Sequence, residues 1–371
     1  MQITRLRLFR YRNIRELEIF PSPGTSLFSG KNGQGKTNLL ESIYMLGYGK
    51  SFRSSNPKEC IHHGEDECRV EGTVEHGSLQ RELQITISKT EKRLHLLGKT
   101  VPFEDFVGNL HLLAFTHEHL KVVRGSPLDR RAFLDRAMVT LYPGHIGYLA
   151  AYGRALKQRN RYLTSVRDGK EKLNDSLLDS WDEALIKPGA RILCNRLRYV
   201  EQMKEELPQG LFGGEILKMH YLSSVGTDDL KVATIEEHFR QRLGKARGKD
   251  QRTGHSSIGP HRDELKLYAD GKSLIHFGSA GQQRSGLLAL YFSQMEIHRK
   301  AHGFYPVFLV DDAEAELDSQ RLSTFVGHLA LRTQTFLTSS KGFLLTSLQE
   351  NSLNFEVSNG AVLPSSPTIE S

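Results

Sequence analysis

No run of 18 apolar residues interrupts this chain of 371, so a membrane-spanning helix is not expected. The opening Met1-Gln2-Ile3-Thr4-Arg5 lacks the apolar core of a secretory leader. Three cysteines are too few, and odd in number, for a disulfide framework; a reducing cytoplasm is the expected setting. Internal repeats and low-complexity blocks are missing, and no heptad seam is long enough for an extended coiled coil. Gly-x-Ser-x-Gly is absent, which removes the nucleophile elbow of serine hydrolases. Cys60, His62, His63 and Cys68 crowd together, but their spacing matches no common zinc pattern. Cys60 and Ile61 also fall where an apolar helix face is expected. The single tryptophan, Trp181, reads as core or interface.

What is present is an ordinary globular balance, with 38% hydrophobic and 25% charged residues. At about 100–200 residues per domain the length allows two or three lobes. Lysine and arginine number 50 against 43 acids, a formal charge of +7. That suits a plain basic protein or a polyanion partner, because counterions released from phosphates drive such binding.

Leu6, Leu8 and Tyr11 against Arg5, Arg7, Arg10 and Arg12 predict a first strand with a basic outer face. Further strands are expected around Leu17–Phe20 and Ser26–Ser29, then a glycine-rich loop and a helix, Asn38–Leu46. Residues 69–97 read as a meander. From Leu128 to Lys204 apolar residues recur at helical spacing, and Ile235–Arg247 adds a basic helix. Leu265–Tyr268 and Leu274–Phe277 read as a hairpin, Gln282–Lys300 as a helix, and Val307–Val310 and Thr335–Thr338 as strands. The expected division is an α/β lobe over 1–115, a compact helical lobe over 116–250, the returning α/β lobe over 251–362 and a frayed tail over 363–371.

Gly30-Lys31-Asn32-Gly33-Gln34-Gly35-Lys36-Thr37 fits G-x-x-x-x-G-K-[ST] in full, between an apolar strand and a helix. Glycines let backbone N–H groups turn inward around phosphate oxygens, and the helix start adds its positive end. Lys36 is expected to reach the β- and γ-phosphates of ATP, and the Thr37 hydroxyl to hold Mg²⁺. Val307–Val310 ends in Asp311 and Asp312, and a buried strand should not end in two carboxylates without a cation or another partner. Asp311 is the expected holder of Mg²⁺, and Asp312 is placed to orient or deprotonate a water.

Ser279-Ala280-Gly281-Gln282-Gln283 opens a helix and resembles the signature motif of ABC-type ATPases. Plain N-capping by Ser279 is the alternative. The order of phosphate loop, signature, acidic strand and Glu316-Leu317-Asp318 resembles that superfamily. There the signature of one protomer closes over the nucleotide of another, which implies an ATP-dependent homodimer with Ser279, Gly281 and Gln282 at the interface. Asp318 resembles the D-loop aspartate; a helix cap is the alternative reading.

Eight segments narrow the match. They are Arg12-Asn13, the phosphate loop, Lys50-Ser51-Phe52-Arg53, Arg130–Asp135, Gln158-Arg159-Asn160, Gly259–Leu265, Ser279–Arg284 and Asp311–Asp318. Together they resemble the RecF recombination-mediator family over nearly the whole chain. That resemblance implies an α/β fold: an SMC-like, ABC-type P-loop ATPase head with an inserted compact helical lobe. It implies ATP binding, dimerisation on ATP and slow hydrolysis, a weak ATPase acting as a switch. It implies binding to duplex DNA near single-strand gaps, and RecR and RecO as partners in loading RecA. The implied setting is DNA replication, repair and the SOS response in the nucleoid-associated cytoplasm. Arg12 would approach the nucleotide, with a surface arginine as the alternative.

This chain departs from the family in carrying Thr116-His117-Glu118-His119 where Ser-Pro-Glu-Asp is usual, and Ala315 where Ser is usual. The superfamily's catalytic Glu is Asp312 here, as in the family, one methylene shorter. A turnover below roughly 10 s⁻¹ is expected. Candidate DNA contacts are Arg5, Arg7, Lys50, Arg53, Arg240 and Arg247; a solvated basic face is the bland reading of each. His261 and Arg262 could face nucleotide, DNA or only a turn. The rival function is an ATP-gated protein-interaction module with incidental DNA affinity.

Overall fold

Alternation builds β1 (Gln2–Tyr11), whose Leu6 and Leu8 are buried. A left-handed Arg10 (φ 49°) then shifts the parity, so that Tyr11 and not Arg10 enters the core. The computed structural model describes the chain except residues 143, 211–213, 313, 315–316, 341–351 and 366–371. Ala315 and Glu316, and most of the expected tail, lie outside the described residues. Leu363, placed in that tail, belongs instead to the last strand.

Strands are numbered in chain order. β1 pairs antiparallel with β2 (Ile14–Ile19) and β4 (Glu67–His76), and the sheet continues through β5 (Leu79–Ser88), β6 (Lys92–Leu96) and β7 (Lys99–Thr100). A second sheet holds β3 (Thr25–Ser29), β8 (Leu112–Phe115), β12 (Val307–Val310), β13 (Thr335–Ser339), β14 (Ser352–Ser358) and β15 (Ala361–Ser365). Its order is β15-β14-β3-β13-β12-β8, with every pairing parallel except β14–β15. The unbroken apolar runs of β8 and β12 are those of a sheet covered on both faces. The carboxyl ends of β3, β12 and β13 meet at one edge, the place where open parallel sheets bind ligands.

The helix Lys36–Tyr48 fills the space between these sheets. Its Leu39, Leu40, Ile43 and Met45 share one core with Leu8, Val70 and Ile85 of the first sheet and with Phe28, Leu309 and Phe336 of the second. Each such side chain contributes about 1.5–3 kcal/mol of burial.

The chain divides into two units, Met1–Leu120 with His298–Ser371, and Lys121–Ile297. The second runs well past the boundary expected at residue 250. It contains helices Pro127–Met138, His145–Arg167, Asp175–Glu205 and Val232–Thr253, and also a small sheet of β9 (Leu217–Leu222), β10 (Glu264–Ala269) and β11 (Lys272–Ser273). It is therefore not purely helical. Leu274–Phe277, expected as the second hairpin strand, is instead a helical turn, closed by Gly278 N donating to Leu274 O.

Candidate functional site

Beyond Ser29 the chain turns through Gly30 (φ 149°), where a Cβ would stand 2.3 Å from the Val357 carbonyl oxygen. At Gly35 (φ 115°) a Cβ would meet Asn13 Oδ1 at 2.8 Å. Only glycine fits either position. The loop is braced from both sides. Asn13 Nδ2 donates to Gln34 O at 2.9 Å, and Asn38 Nδ2 donates to Asn13 Oδ1 at 2.7 Å. From the β14–β15 turn, Asn359 N donates to Gln34 Oε1 at 2.6 Å and Gly360 N to Gln34 O at 3.0 Å. Lys31, Asn32 and Gly33 are exposed. The helix that follows begins at Gly35 with no side-chain cap among the described residues, so its first N–H groups keep capacity for an anion.

Lys36 folds back over its own loop, donating to Gly30 O at 2.6 Å and Lys31 O at 2.9 Å. Burial pulls its ammonium below the ordinary value, against the charges of Asp312, Asp311 and Glu314. Thr37 Oγ1 donates to Asp311 Oδ1 at 2.9 Å, and Thr338 Oγ1 donates to the same oxygen at 2.8 Å. Burial pushes the Asp311 carboxyl above its ordinary range and the Asp312 charge adds to it, while the two hydroxyl bonds pull the other way. Asp312 has a left-handed backbone (φ 48°) and its N–H donates to Thr338 Oγ1 at 2.8 Å. Its Oδ1 is buried with no hydrogen-bond partner among the described residues. Lys36, Thr37, Asp312 and Thr338 line one cleft together with Asn32 and Gly33.

Two residues missed by sequence reasoning, Asn38 and Thr338, line this cleft, and so does Arg53, which was expected on a DNA surface. Arg53 Nη1 donates to Asn38 Oδ1 at 2.6 Å. The likeness of Lys50–Arg53 to a family segment was the available signal; its partner Asn38 gave none. Arg12 is engaged elsewhere. Its guanidinium makes a two-pronged bond to the buried Glu41 (2.6 and 3.0 Å) and donates to Glu59 O at 2.6 Å. Burial pulls the group's pKa down, but the Glu41 bonds and charge outweigh it and leave it above ordinary. Cys60 and Cys68 are buried in the core, and His62 Nδ1 lies 2.7 Å from Arg12 O. None of them belongs to a metal-ligand group among the described residues.

In the second unit, Ser279 and Gln282 bond each other. Gln282 N donates to Ser279 Oγ at 3.2 Å, and Ser279 N donates to Gln282 Oε1 at 2.9 Å, a capping box opening the helix Ala280–His302. Gly281 is half-buried there. In the first unit, Asp318 caps the helix Ser319–Ala330, accepting from Arg321 N at 3.0 Å. Both caps were the alternatives to a signature and a D-loop role.

The other basic candidates carry acidic neighbours. Arg5 pairs with Glu18, Arg7 with Glu71, and Arg240 with Glu183 and Glu237. These pairs lie at or near the surface, where an ion pair stabilises little and exchanges readily for phosphate. Arg247 differs, since Asp175, Asp179 and Asp182 hold it together. Lys50 is exposed.

Several family-like segments serve the interior of the second unit. Arg159 is fully buried and bonds Asp182 (2.7 Å), Asp250 (2.8 Å) and Ser256 (2.8 Å). Arg130 grips Glu264 with two bonds, and Arg131 donates to Asp263 O. His261 Nδ1 lies 2.6 Å from the Tyr152 hydroxyl, and Arg262 donates to Ser256 O. His261 and Arg262 thus build a turn.

The RecF/RecN/SMC N terminal domain family matches residues 2–362. The chain is 34% identical over 389 residues to the DNA replication and repair protein RecF of Geotalea uraniireducens, covering 98% of this chain and 100% of that one. It is 33% identical over 376 residues to the protein of the same name from Halothermothrix orenii, covering 98% of each. Among solved structures it is similar to the recombination mediator protein RecF-ATPrS in the RecFOR pathway, with a TM-score of 0.89, 27% identity and 98% of each chain covered. A RecF-ATP structure of the same pathway gives 0.86, 26%, and 98% and 99%. An SMC head bound to the C-winged helix domain of ScpA shares the fold at 0.53 and 14%, over 99% and 98%.

Proposed function

The chain belongs to the RecF family of DNA replication and repair proteins, and from that premise we propose that it is an ATP-driven DNA-binding switch of the RecFOR pathway. The similarity to RecF-ATP and RecF-ATPrS structures supports ATP as the ligand. The observation that carries the reading is the cleft, where one Asp311 oxygen bonds both Thr37 and Thr338 beside a buried Asp312 oxygen that has no partner among the described residues. Such a strand end calls for a cation and a polyanion.

The loop amides and Lys36 would take the phosphates, with Lys36 exchanging its two carbonyl bonds for phosphate oxygens. Thr37 and Asp311 offer hard oxygen donors that fit Mg²⁺, which when bound would neutralise phosphate charge. Asp312 would hold the attacking water and accept its proton. Its short side chain suits turnover below roughly 10 s⁻¹. Arg53 would add positive charge at the cleft mouth.

Ser279, Gly281 and Gln282 of one copy would close on the nucleotide of a second, exchanging the capping box for phosphate contacts, with Asp318 near the same interface. ATP drives that closure only by binding the closed pair better than the open one. Duplex DNA beside a gap would meet Arg5, Arg7, Lys50 and Arg240 through phosphates, with steep salt dependence and little sequence preference. RecR and RecO would be its partners in loading RecA.

Replacing Lys36 by Ala tests the cleft. A hydrogen bond to a charged group is worth about 1.5–3 kcal/mol, so ATP should bind roughly 10–100-fold more weakly in equilibrium titration. Unchanged affinity would overturn the assignment.

A further inference from the structure

His111, His298 and His302 come together in the first unit, at the opposite end of β8 and β12 from Asp311. His111 immediately precedes β8, and its carbonyl accepts from Val307 N at the start of β12. His298 and His302 are four apart on one helix, a spacing that puts two imidazoles on the same face. The His302 ring centroid lies 4.7 Å from that of His111 and 4.6 Å from that of His298.

The hydrogen bonds fix the tautomers of two rings. His111 Nε2 lies 3.0 Å from Gly108 O, and His298 Nδ1 lies 2.9 Å from Phe304 O. A carbonyl oxygen only accepts, so each ring donates its N–H outward. The inner nitrogens, His111 Nδ1 and His298 Nε2, stand 2.7 Å apart, and both are left presenting lone pairs. Two lone pairs at that distance need a cation. A proton would create an imidazolium among the rings of His302 and Phe304, in a group that holds no carboxylate among the described residues. A metal ion would instead use the lone pairs of several rings at once. An outward N–H bonded to a backbone carbonyl is how ligating histidines are held in metal sites.

We propose that His111, His298 and His302 bind one divalent transition ion of the zinc class. Their ligand atoms lie within 4.8 Å of one another. Metal–nitrogen bonds of about 2.0–2.1 Å in tetrahedral array would set the nitrogens roughly 3.3 Å apart. The inner pair then opens slightly and His302 closes in, by side-chain motion. Three neutral nitrogens select zinc, nickel or copper over magnesium or calcium. Arg81 and the Met1 amine are positive neighbours, which weaken the binding of a cation. The ion would tie the end of this helix to the edge strand β8, joining residues 187 positions apart.

The test uses the full chain, produced without a polyhistidine tag and stripped with a chelator. Zn²⁺ is titrated by calorimetry and Co²⁺ by visible absorption, on wild type and on His302→Gln and His111→Gln. X-ray absorption of the zinc-loaded wild type identifies the ligands without any variant. One saturable equivalent, the visible bands of tetrahedral Co²⁺, imidazole scattering and at least tenfold weaker binding in both variants are expected. No saturable binding, binding without imidazole scattering, or unchanged affinity in folded variants would overturn the proposal.

Discussion

Replacing Asp135 by Asn removes one charge from a buried pair that the second unit is built around. Arg196, whose side chain is 4% exposed, donates to Asp135 Oδ1 at 2.8 Å and Oδ2 at 2.7 Å, and to Pro260 O at 2.7 Å. Burial alone would raise the Asp135 pKa. The Arg196 charge and the His145 and Arg196 hydrogen bonds overcome that and hold it at about 2, against an ordinary 3.8. At about 1.4 kcal/mol per pH unit, that depression is worth about 2 kcal/mol at neutral pH. Cutting a buried pair costs about 3–5 kcal/mol, and Asn keeps one acceptor, so a loss of about 3 kcal/mol is expected. The folded pKa is depressed, so the contribution is complete above pH 5 and disappears as pH falls toward 2. About half of the charge contribution is gone at pH 3. Urea unfolding followed by Trp181 fluorescence reads the relevant unit, because Trp181 is the only tryptophan and shares the helix Asp175–Glu205 with Arg196. Equal midpoints at pH 7, or a gap between wild type and variant that stays constant from pH 5 to pH 3, would refute the reasoning.

Asp312→Asn should keep ATP binding and slow phosphate release by roughly 10²–10⁴-fold, the usual worth of a general base; an unchanged rate would remove Asp312 from water activation. Gly30→Ala places a methyl group against the Val357 carbonyl at φ 149°. It should cost about 1–3 kcal/mol in thermal unfolding and weaken ATP binding with it; wild-type stability would contradict the close approach.

The phosphate loop and the acidic strand were legible because both are contiguous. Eight residues carry the loop, and Val307–Val310 is an unbroken apolar run whose observed bounds match those expected. The end of the second unit was not legible. It is tied by Arg130–Glu264 and by Arg196 to Pro260 O, pairs 134 and 64 residues apart with no local period. Leu274–Phe277 was misread because three apolar residues around His276 fit a strand or a helical turn equally well. β9 (Leu-Lys-Met-His-Tyr-Leu) alternates too briefly to stand out. The grouping of Arg53 with Lys36 and Thr37 needs the tertiary fold, since Arg53 follows the helix that Lys36 begins. The histidine cluster left only the four-residue spacing of His298 and His302 as a trace.

The central claim is that ATP in the phosphate-loop cleft controls DNA binding. The most direct measurement is fluorescence anisotropy of a labelled gapped duplex titrated with the protein in ATP, in ADP and without nucleotide. Tight, salt-sensitive binding in ATP alone is the predicted result. Equal binding in all three conditions would contradict the claim and leave an ATP-gated protein-interaction module as the better description.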